Sequence, residues 1–348
     1  MCPPVKGDGE KVRSSGRCRR QGVDRGKSSR SAAGEGESIA DVPLYFAVHG
    51  LRAGHGAMMT TDLGELLAVA ERAADAAAEV IADALASGDW TVRVKEDDSP
   101  VTDVDVAAER AIRAVLEAAT PAAAFYGEET GRHEGRAEDS GSADSRAKDV
   151  RSGAGGSSSD GPALRWLVDP IDGTKSFVRG LPFYSTQIAL EADGELVVGV
   201  SSAPAFGERL VAIRGGGVRL DGRDVRASGV ERIGDAFLSS GNLATLARDS
   251  DAWMRYGGIV SRVRRVRGYG DFCHYHQLAS GGCDLVIESD VNILDVAALT
   301  VGVRAAGGVI TDLAGQAVDE NTTSILAAAT EALHAESLET LRRGREQP

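Results

Sequence analysis

The chain has 348 residues, with 52 Asp and Glu against 39 Lys and Arg and a formal net charge of -13. That length suits one large α/β unit or two smaller ones sharing a core. The acidity argues against a sequence-independent grip on nucleic acid or an anionic membrane and fits a protein that handles small molecules or cations. Four cysteines, Cys2, Cys18, Cys273 and Cys283, form no C-x-x-C pair and meet no zinc-like His spacing, so a reducing, cytoplasmic setting is expected. No apolar run approaches the roughly 20 residues of a membrane span.

Residues 1–57 are rich in Arg, Gly and Ser and are expected to be a disordered tail. Met58 and Met59 stand just before the first convincing helix. The expectation is therefore that translation begins there, the stretch before them being a start-site artefact or a dispensable tail. Asp8, Glu10, Asp24, Glu35 and Glu37 count against an Arg- and Ser-rich transit peptide. From Asp62 the periodicity predicts a helix with Leu63, Leu66, Leu67, Ala70, Ala74, Ala77, Ile81 and Leu85 on one face, an Asp62–Glu65 capping box and Gly88 at its end. A second helix is expected from Thr102-Asp103, with Ala107, Ala111, Ile112, Val115 and Leu116 inward and Pro121 beyond its end. "AAAFYGEET" reads as a strand leaving into a loop at Gly127.

Residues 131–163 lose all periodicity to Gly, Ser, Asp and Arg and are expected to be a mobile, disordered insertion. Next, "LRWLVD" reads as a buried strand and "STQIALEADGELVVGVSSAP" as a hairpin turning at Asp193-Gly194. Strands are expected at Leu210–Ile213 and Val218–Val225. From about residue 235 strands and helices alternate, ending in the strand "SILAAAT" and a helix over Glu331–Arg342. The pattern predicts an α+β half over residues 58–230 and an α/β half over 231–348 that completes the site.

The chemistry concentrates in "WLVDPIDGTKSF", residues 166–177. Asp169 and Asp172 lie where the chain leaves a strand, with Pro170 stiffening the turn and Gly173 allowing close backbone approach. Hard divalent cations take oxygen ligands, and two such ions can clamp both oxygens of an in-line phosphoryl displacement. A helical turn starting at Gly173-Thr174 would add N–H groups for a phosphate. A lone D-x-x-D-G is usually a polar turn. Here three more acidic groups stand at helix starts or strand ends: Asp103 in "PVTDVD", Glu128 and Glu129 in "YGEET", and Asp295 in "NILDVAA". Asp at a helix start is most often a cap, but four such clusters in this order are not all caps. Cys273 and Cys283 lack the Arg-terminated loop of a cysteine phosphatase, and Gly215 to Gly217 lack the Lys-Ser/Thr of a P-loop.

With these motifs the chain resembles the inositol monophosphatase family of Mg²⁺-dependent, lithium-sensitive phosphatases, over about residues 62 to 343. Its second signature stands here as "NILDVAALTVGVRAAGG", with Leu294 where the family usually has Trp. The resemblance implies a layered α/β/α/β/α sandwich, two or three Mg²⁺ ions and commonly a homodimer. It implies Glu128, Asp169, the carbonyl of Ile171, Asp172 and Asp295 as metal ligands, Gly173 and Thr174 as a phosphate seat, and Asp103 with Thr174 as the pair that prepares the attacking water. Arg179-Gly180 and "GYGDF" look more like the histidinol-phosphate phosphatase branch than the inositol branch. Histidinol phosphate carries an ammonium and an imidazole, so its pocket should offer further acids. Asp271 and Glu288, with Asn292 and Arg179, are the candidates for substrate binding, whereas His274 and His276 are expected to be structural. Lys95 is a candidate neighbour of an outer metal or phosphate. The rival expectations are a phosphatase of inositol 1-phosphate or of sugar phosphates more broadly, and a non-catalytic, transcription-associated scaffold.

Overall fold

The computed structural model describes residues 63–95, 100–136 and 163–342. The expectations for residues 1–57, for the Asp62 cap and for most of the 131–163 insertion lie outside the described residues. The chain opens with α1 (Leu63–Ser87), the ribbon β1 (Val92–Val94) and β2 (Pro100–Thr102), and α2 (Asp103–Ala119). Then come β3 (Ala124–Gly127), β4 (Gly131–His133), β5 (Leu164–Asp172), the short α3 (Thr174–Val178) and the hairpin of β6 (Ser185–Ala192) and β7 (Glu195–Ala203). Asp193 and Gly194 both have positive φ, 50° and 80°, as a two-residue turn matched to strand twist requires. β8 (Glu208–Ile213), β9 (Gly217–Leu220) and β10 (Arg223–Asp224) finish an antiparallel run. The second part holds β11 (Phe237–Gly241), α4 (Ala244–Arg248), α5 (Ser250–Val260), β12 (Arg265–Arg267) and α6 (Asp271–Ala279). It ends with β13 (Leu285–Ser289), α7 (Ile293–Ala305), β14 (Val309–Thr311), β15 (Ser324–Ala328) and α8 (Glu331–Arg342).

Two sheets result. The larger has the order β10-β9-β8-β7-β6-β5-β3-β4, and the smaller β12-β11-β13-β15-β14. Helices α1 and α2 cover one face of the larger sheet, burying Ala70, Ala74, Ile112 and Leu116 against Trp166, Ile188 and Val200. Helix α7 covers the other face, with Leu294, Ala298 and Val301 against Leu167, Ala189 and Leu210. Its opposite side joins α6 on the smaller sheet, where Val296 and Leu299 meet Val286 and Ile325. Covered on both sides, α7 is apolar all round, as an interior helix must be. α5 and α8 close the far face of the smaller sheet through Tyr256, Ile259, Leu333 and Leu341. The order of layers is α/β/α/β/α, as expected. Among the described residues no helix is long and apolar enough to cross a membrane.

Local corrections concern faces and ends. Leu85 is 43% exposed, because the last turn of α1 runs past the packed face that ends at Ile81. On α2 the buried stripe is Val104, Asp105, Ala108, Glu109, Ile112 and Leu116, while Ala107 is exposed. Two of those positions are acids, so apolar periodicity alone places the stripe one residue off. β4 begins inside the stretch expected to be irregular, its three residues pairing antiparallel with β3; three residues are too few to show a period.

The seam between the larger sheet and α7 is tight. A Cβ on Gly199 of β7 would stand 2.5 Å from the carbonyl oxygen of Ala298, which neither backbone can relieve locally. Gly199→Ala should therefore cost about 1–3 kcal/mol in urea unfolding. Gly229→Ala, where a Cβ meets nothing within 4 Å, should stay within about 0.5 kcal/mol.

Candidate active site

β3 and β5 run parallel with Gly127 opposite Val168, so the two chains leave the sheet on the same side. Glu128 thereby comes next to Asp169, and its backbone N–H donates to the carbonyl of Val168 at 3.1 Å. Pairing of β5 with β6 slips between Asp169 and Asp172. Pro170 has no N–H for a ladder, so a bulge is the natural conformation there. The Ile171 N–H donates to Asp169 Oδ1 at 2.9 Å and closes the turn. Gly173 follows with φ 88°, and a Cβ there would stand 2.5 Å from the carbonyl oxygen of Phe183. Only glycine fits that step, after which α3 begins at Thr174 as expected.

Two helix N-termini converge on this corner. Asn292 caps α7, accepting from the Leu294 N–H at 2.7 Å, and its own N–H and side-chain amide donate to the two oxygens of Asp295, both at 2.8 Å. Asn292 thus orients Asp295. Asp169, Asp172 and Asp295 each bring a carboxylate oxygen within 4.8 Å of the others. Lys95 Nζ bridges Glu128 and Glu129, at 2.8 Å to each. The backbone N–H groups of Glu129 and Thr130 donate to the buried carboxylate of Glu109, at 2.7 and 2.8 Å, which anchors the Glu128 loop on α2.

This crowding has an electrostatic cost. Burial first, then the charges of Glu128, Asp172 and Asp295, hold the Asp169 carboxyl well above the usual range. Asp172 is raised likewise by burial and by Asp271, Asp295, Glu288 and Glu128. Asp295 is pushed up to about 7 by burial and by Glu128 and Glu288, against the hydrogen bonds from Asn292. Glu129 is pushed up to about 7, by burial and the Glu128 charge in the main, against its bond to Lys95. Burial would lower Lys95, but its bonds to Glu128 and Glu129 outweigh that and raise it.

The pairing expected between Asp103 and Thr174 is corrected by the structure. Asp103 is exposed at the first position of α2, where its Oδ1 accepts from the Thr91 N–H at 2.9 Å. Asp105 is buried, and its Oδ1 accepts from the Thr174 hydroxyl at 3.2 Å. Its other oxygen takes the N–H of Thr102 at 2.8 Å and the Thr102 hydroxyl, completing a capping box. The signal was present in the sequence: T-x-x-D marks Asp105 as the inward acid of a capped helix start. Burial raises the Asp105 carboxyl, with the hydrogen bonds from Thr102 and Thr174 opposing.

The substrate candidates divide. Asp271, half-buried at the start of α6 with φ 45°, acts on Asp172 electrostatically and is itself pushed up to about 6 by burial and by Glu288. Glu288 is 1% exposed and engaged inside the protein, accepting from Tyr275 at 2.8 Å, from Asn242 at 3.2 Å, and pairing with His274 at 3.0 Å. These bonds make it a brace between α6, β11 and β13. His274 and His276 are both buried in hydrogen bonds, His276 between Ser201 and Glu208. Arg179 ends α3 with an exposed side chain that makes no described hydrogen bond or ion pair. Phe183, Phe206 and Phe272 stack edge to face beside it all, with centroids 5.2 and 5.4 Å apart.

Comparison with known proteins agrees with this geometry. A model of the inositol monophosphatase family matches residues 62–346. A histidinol-phosphatase of Mycobacterium tuberculosis is 37% identical over 292 residues, covering 82% of this chain and 100% of that protein. A histidinol-phosphatase of Streptomyces coelicolor is 34% identical over 261 residues, 72% of this chain and 87% of that one. The crystal structure of the extragenic suppressor protein suhB from Bartonella henselae superposes with a TM-score of 0.67 at 28% identity, over 80% of this chain and 99% of that one. From the first helix to the last, the chain belongs to the inositol monophosphatase family of phosphatases.

Proposed function

We propose that the chain is a Mg²⁺-dependent phosphomonoester hydrolase that converts L-histidinol phosphate and water to L-histidinol and phosphate, a step of histidine biosynthesis. The observation that carries the hydrolase reading is the gathering of Asp169, Asp172 and Asp295 within 4.8 Å, beside a threonine hydroxyl bonded to a buried aspartate. The donor set fits the metal, being hard oxygen without thiol or imidazole, and its repelling carboxylates favour a divalent cation. Glu128, Asp169, the Ile171 carbonyl, Asp172 and Asp295 would hold two or three ions. Bound there, Mg²⁺ supplies Lewis-acid activation of water and neutralises charge on the phosphoryl oxygens.

The chain's own groups do the rest. The Thr174 hydroxyl reaches both the Ile171 carbonyl at 3.0 Å and Asp105 at 3.2 Å; donating to Asp105 it turns a lone pair toward the attacking water, whose proton passes through it to Asp105. Burial makes Asp105 a better proton acceptor than an exposed aspartate. Gly173 and Thr174, at the start of α3, present backbone to the phosphate. Asp271 supports the choice of alcohol, since an acid beside the metal corner offers a cationic substrate an ion pair, where a neutral polyol would gain only hydrogen bonds. Similarity to two proteins named histidinol-phosphatase points the same way.

Four outcomes test this reading. With saturating Mg²⁺, kcat/KM for L-histidinol phosphate should exceed that for inositol 1-phosphate by about a hundredfold, near 2.7 kcal/mol of discrimination; the reverse order sinks the substrate assignment and keeps the metal site. Asp105→Asn should lower kcat by roughly 10²–10⁴ while Asp103→Asn stays within about threefold. Asp271→Ala should raise KM for histidinol phosphate about 10–100-fold with kcat little changed, as loss of a charged contact in the ground state would.

The fourth concerns pH. Raised carboxyl values mean that the folded protein retains protons the unfolded chain has given up. The contribution of these carboxyls to the stability of the metal-free protein should therefore be fully present below about pH 4 and lost as pH rises through about 7, the value for Asp295. Mg²⁺ should raise Tm, and by more at about pH 8 than at about pH 5. An equal gain at both would remove the carboxylates from the cation site.

A further inference from the structure

β6 lies beside the metal corner, and its first three residues all touch the bulge of β5. Side chains alternate along a strand, so Ser185 and Gln187 share one face and Thr186 takes the other. The Thr186 hydroxyl donates to the Pro170 carbonyl at 2.8 Å and fixes the bulged peptide. On the opposite face the Gln187 amide donates to Ser185 Oγ at 2.8 Å, and Ser185 Oγ donates in turn to Asp172 Oδ2 at 3.4 Å. Ser185 and Gln187 are 0% and 1% exposed, so no bulk water replaces these bonds.

The direction of this chain matters. A serine hydroxyl has one proton. With the Gln187 N–H occupying a lone pair of Ser185, that proton is turned toward Asp172. Asp172 then has one oxygen held and the other left to face the cluster. Gln187 meanwhile leaves its own Oε1 buried without a partner among the described residues. An orphaned acceptor costs about 1–3 kcal/mol, an expense that an apolar side chain of the same volume would avoid. Packing alone does not account for glutamine there.

We propose that Ser185 and Gln187 are positioning residues for Asp172, a two-member relay that sets its rotamer and through it the affinity for the divalent cation. The inference rests on the Mg²⁺ reading above and deepens it, since neither residue touches substrate. Outer-shell partners of metal ligands typically contribute 10–100-fold to metal affinity.

The test uses Ser185→Thr and Ser185→Val, which have the same shape and differ in the hydroxyl alone, so that packing effects are common to both. Mg²⁺ affinity is read by titration calorimetry and by the Mg²⁺-induced rise in Tm, without substrate. Ser185→Thr should keep affinity within about threefold of the parent, and Ser185→Val should weaken it about 10–100-fold. Gln187→Met, close in volume, should weaken it in the same direction, and the Ser185→Val/Gln187→Met double variant should bind no worse than Ser185→Val, as members of one relay do. If the parent binds Mg²⁺ and the Thr and Val variants bind it equally, the relay is refuted while the metal site stands. If both Ser185 variants fail to fold, Gln187→Met decides, an unchanged affinity refuting the relay. A parent that takes up no Mg²⁺ overturns both the relay and the metal reading.

Discussion

The repulsion among carboxylates at the end of β5 is the constraint on which the rest of the structure turns. Two unit charges about 4 Å apart in a partly buried site repel by on the order of 4 kcal/mol at an effective dielectric of 20, and here at least four acids meet. Without a cation the corner is a local liability set against a net folding stability of only about 5–15 kcal/mol. The fold must therefore impose the cluster, and the means are visible. Asp169 and Glu128 are brought together by the register of two parallel strands, and Asp295 arrives on a helix locked between two sheets. None can swing away without breaking a layer.

The same economy of parts appears at both helix starts. In α2 and α7 the third helical residue is an aspartate that closes a capping box, and in each case that aspartate is also a site residue, Asp105 or Asp295. The positive end of each helix favours a negative charge there, while the cap bonds select one rotamer. Glu109 does for the Glu128 loop what the caps do for the helices, by giving two backbone N–H groups a buried acceptor. Fixed geometry at the cluster is thus assembled from ordinary devices of secondary structure.

How much of this could be read from the sequence depended on whether a residue declares itself through its neighbours in the chain. D-P-I-D-G-T is local: an acid pair, a proline that forbids a ladder and a glycine at positive φ, and the structure puts each where the motif implies. The layered order follows from apolar patterns of sufficient length, including the all-round apolar α7. Asp103 against Asp105 could not be settled by proximity to a helix start, since both are there; the side of the helix decides, and the T-x-x-D spacing held that information. Glu109, Ser185 and Gln187 gave no sign, because a buried acid interrupts the apolar stripe and a serine or glutamine in a strand looks like its solvent side. Glu288 was found by position, but that its oxygens are occupied by Tyr275, Asn242 and His274 is a three-dimensional fact.

That occupation bears on how specificity can be distributed in such a fold. The ligating acids come from β3, β5 and α7, while the groups around the alcohol side come from β11, α6 and β13, on the other sheet and its helix. Glu288 is committed to holding α6 and the end of β11 together. Asp271 differs: it sits at the first position of α6, in a left-handed conformation that aspartate tolerates better than most residues. Its charge is felt by Asp172 on one side and moderated by His274 and Lys175 on the other. Under the proposed function, discrimination among phosphate esters falls to the start of α6, and hydrolysis to the end of β5.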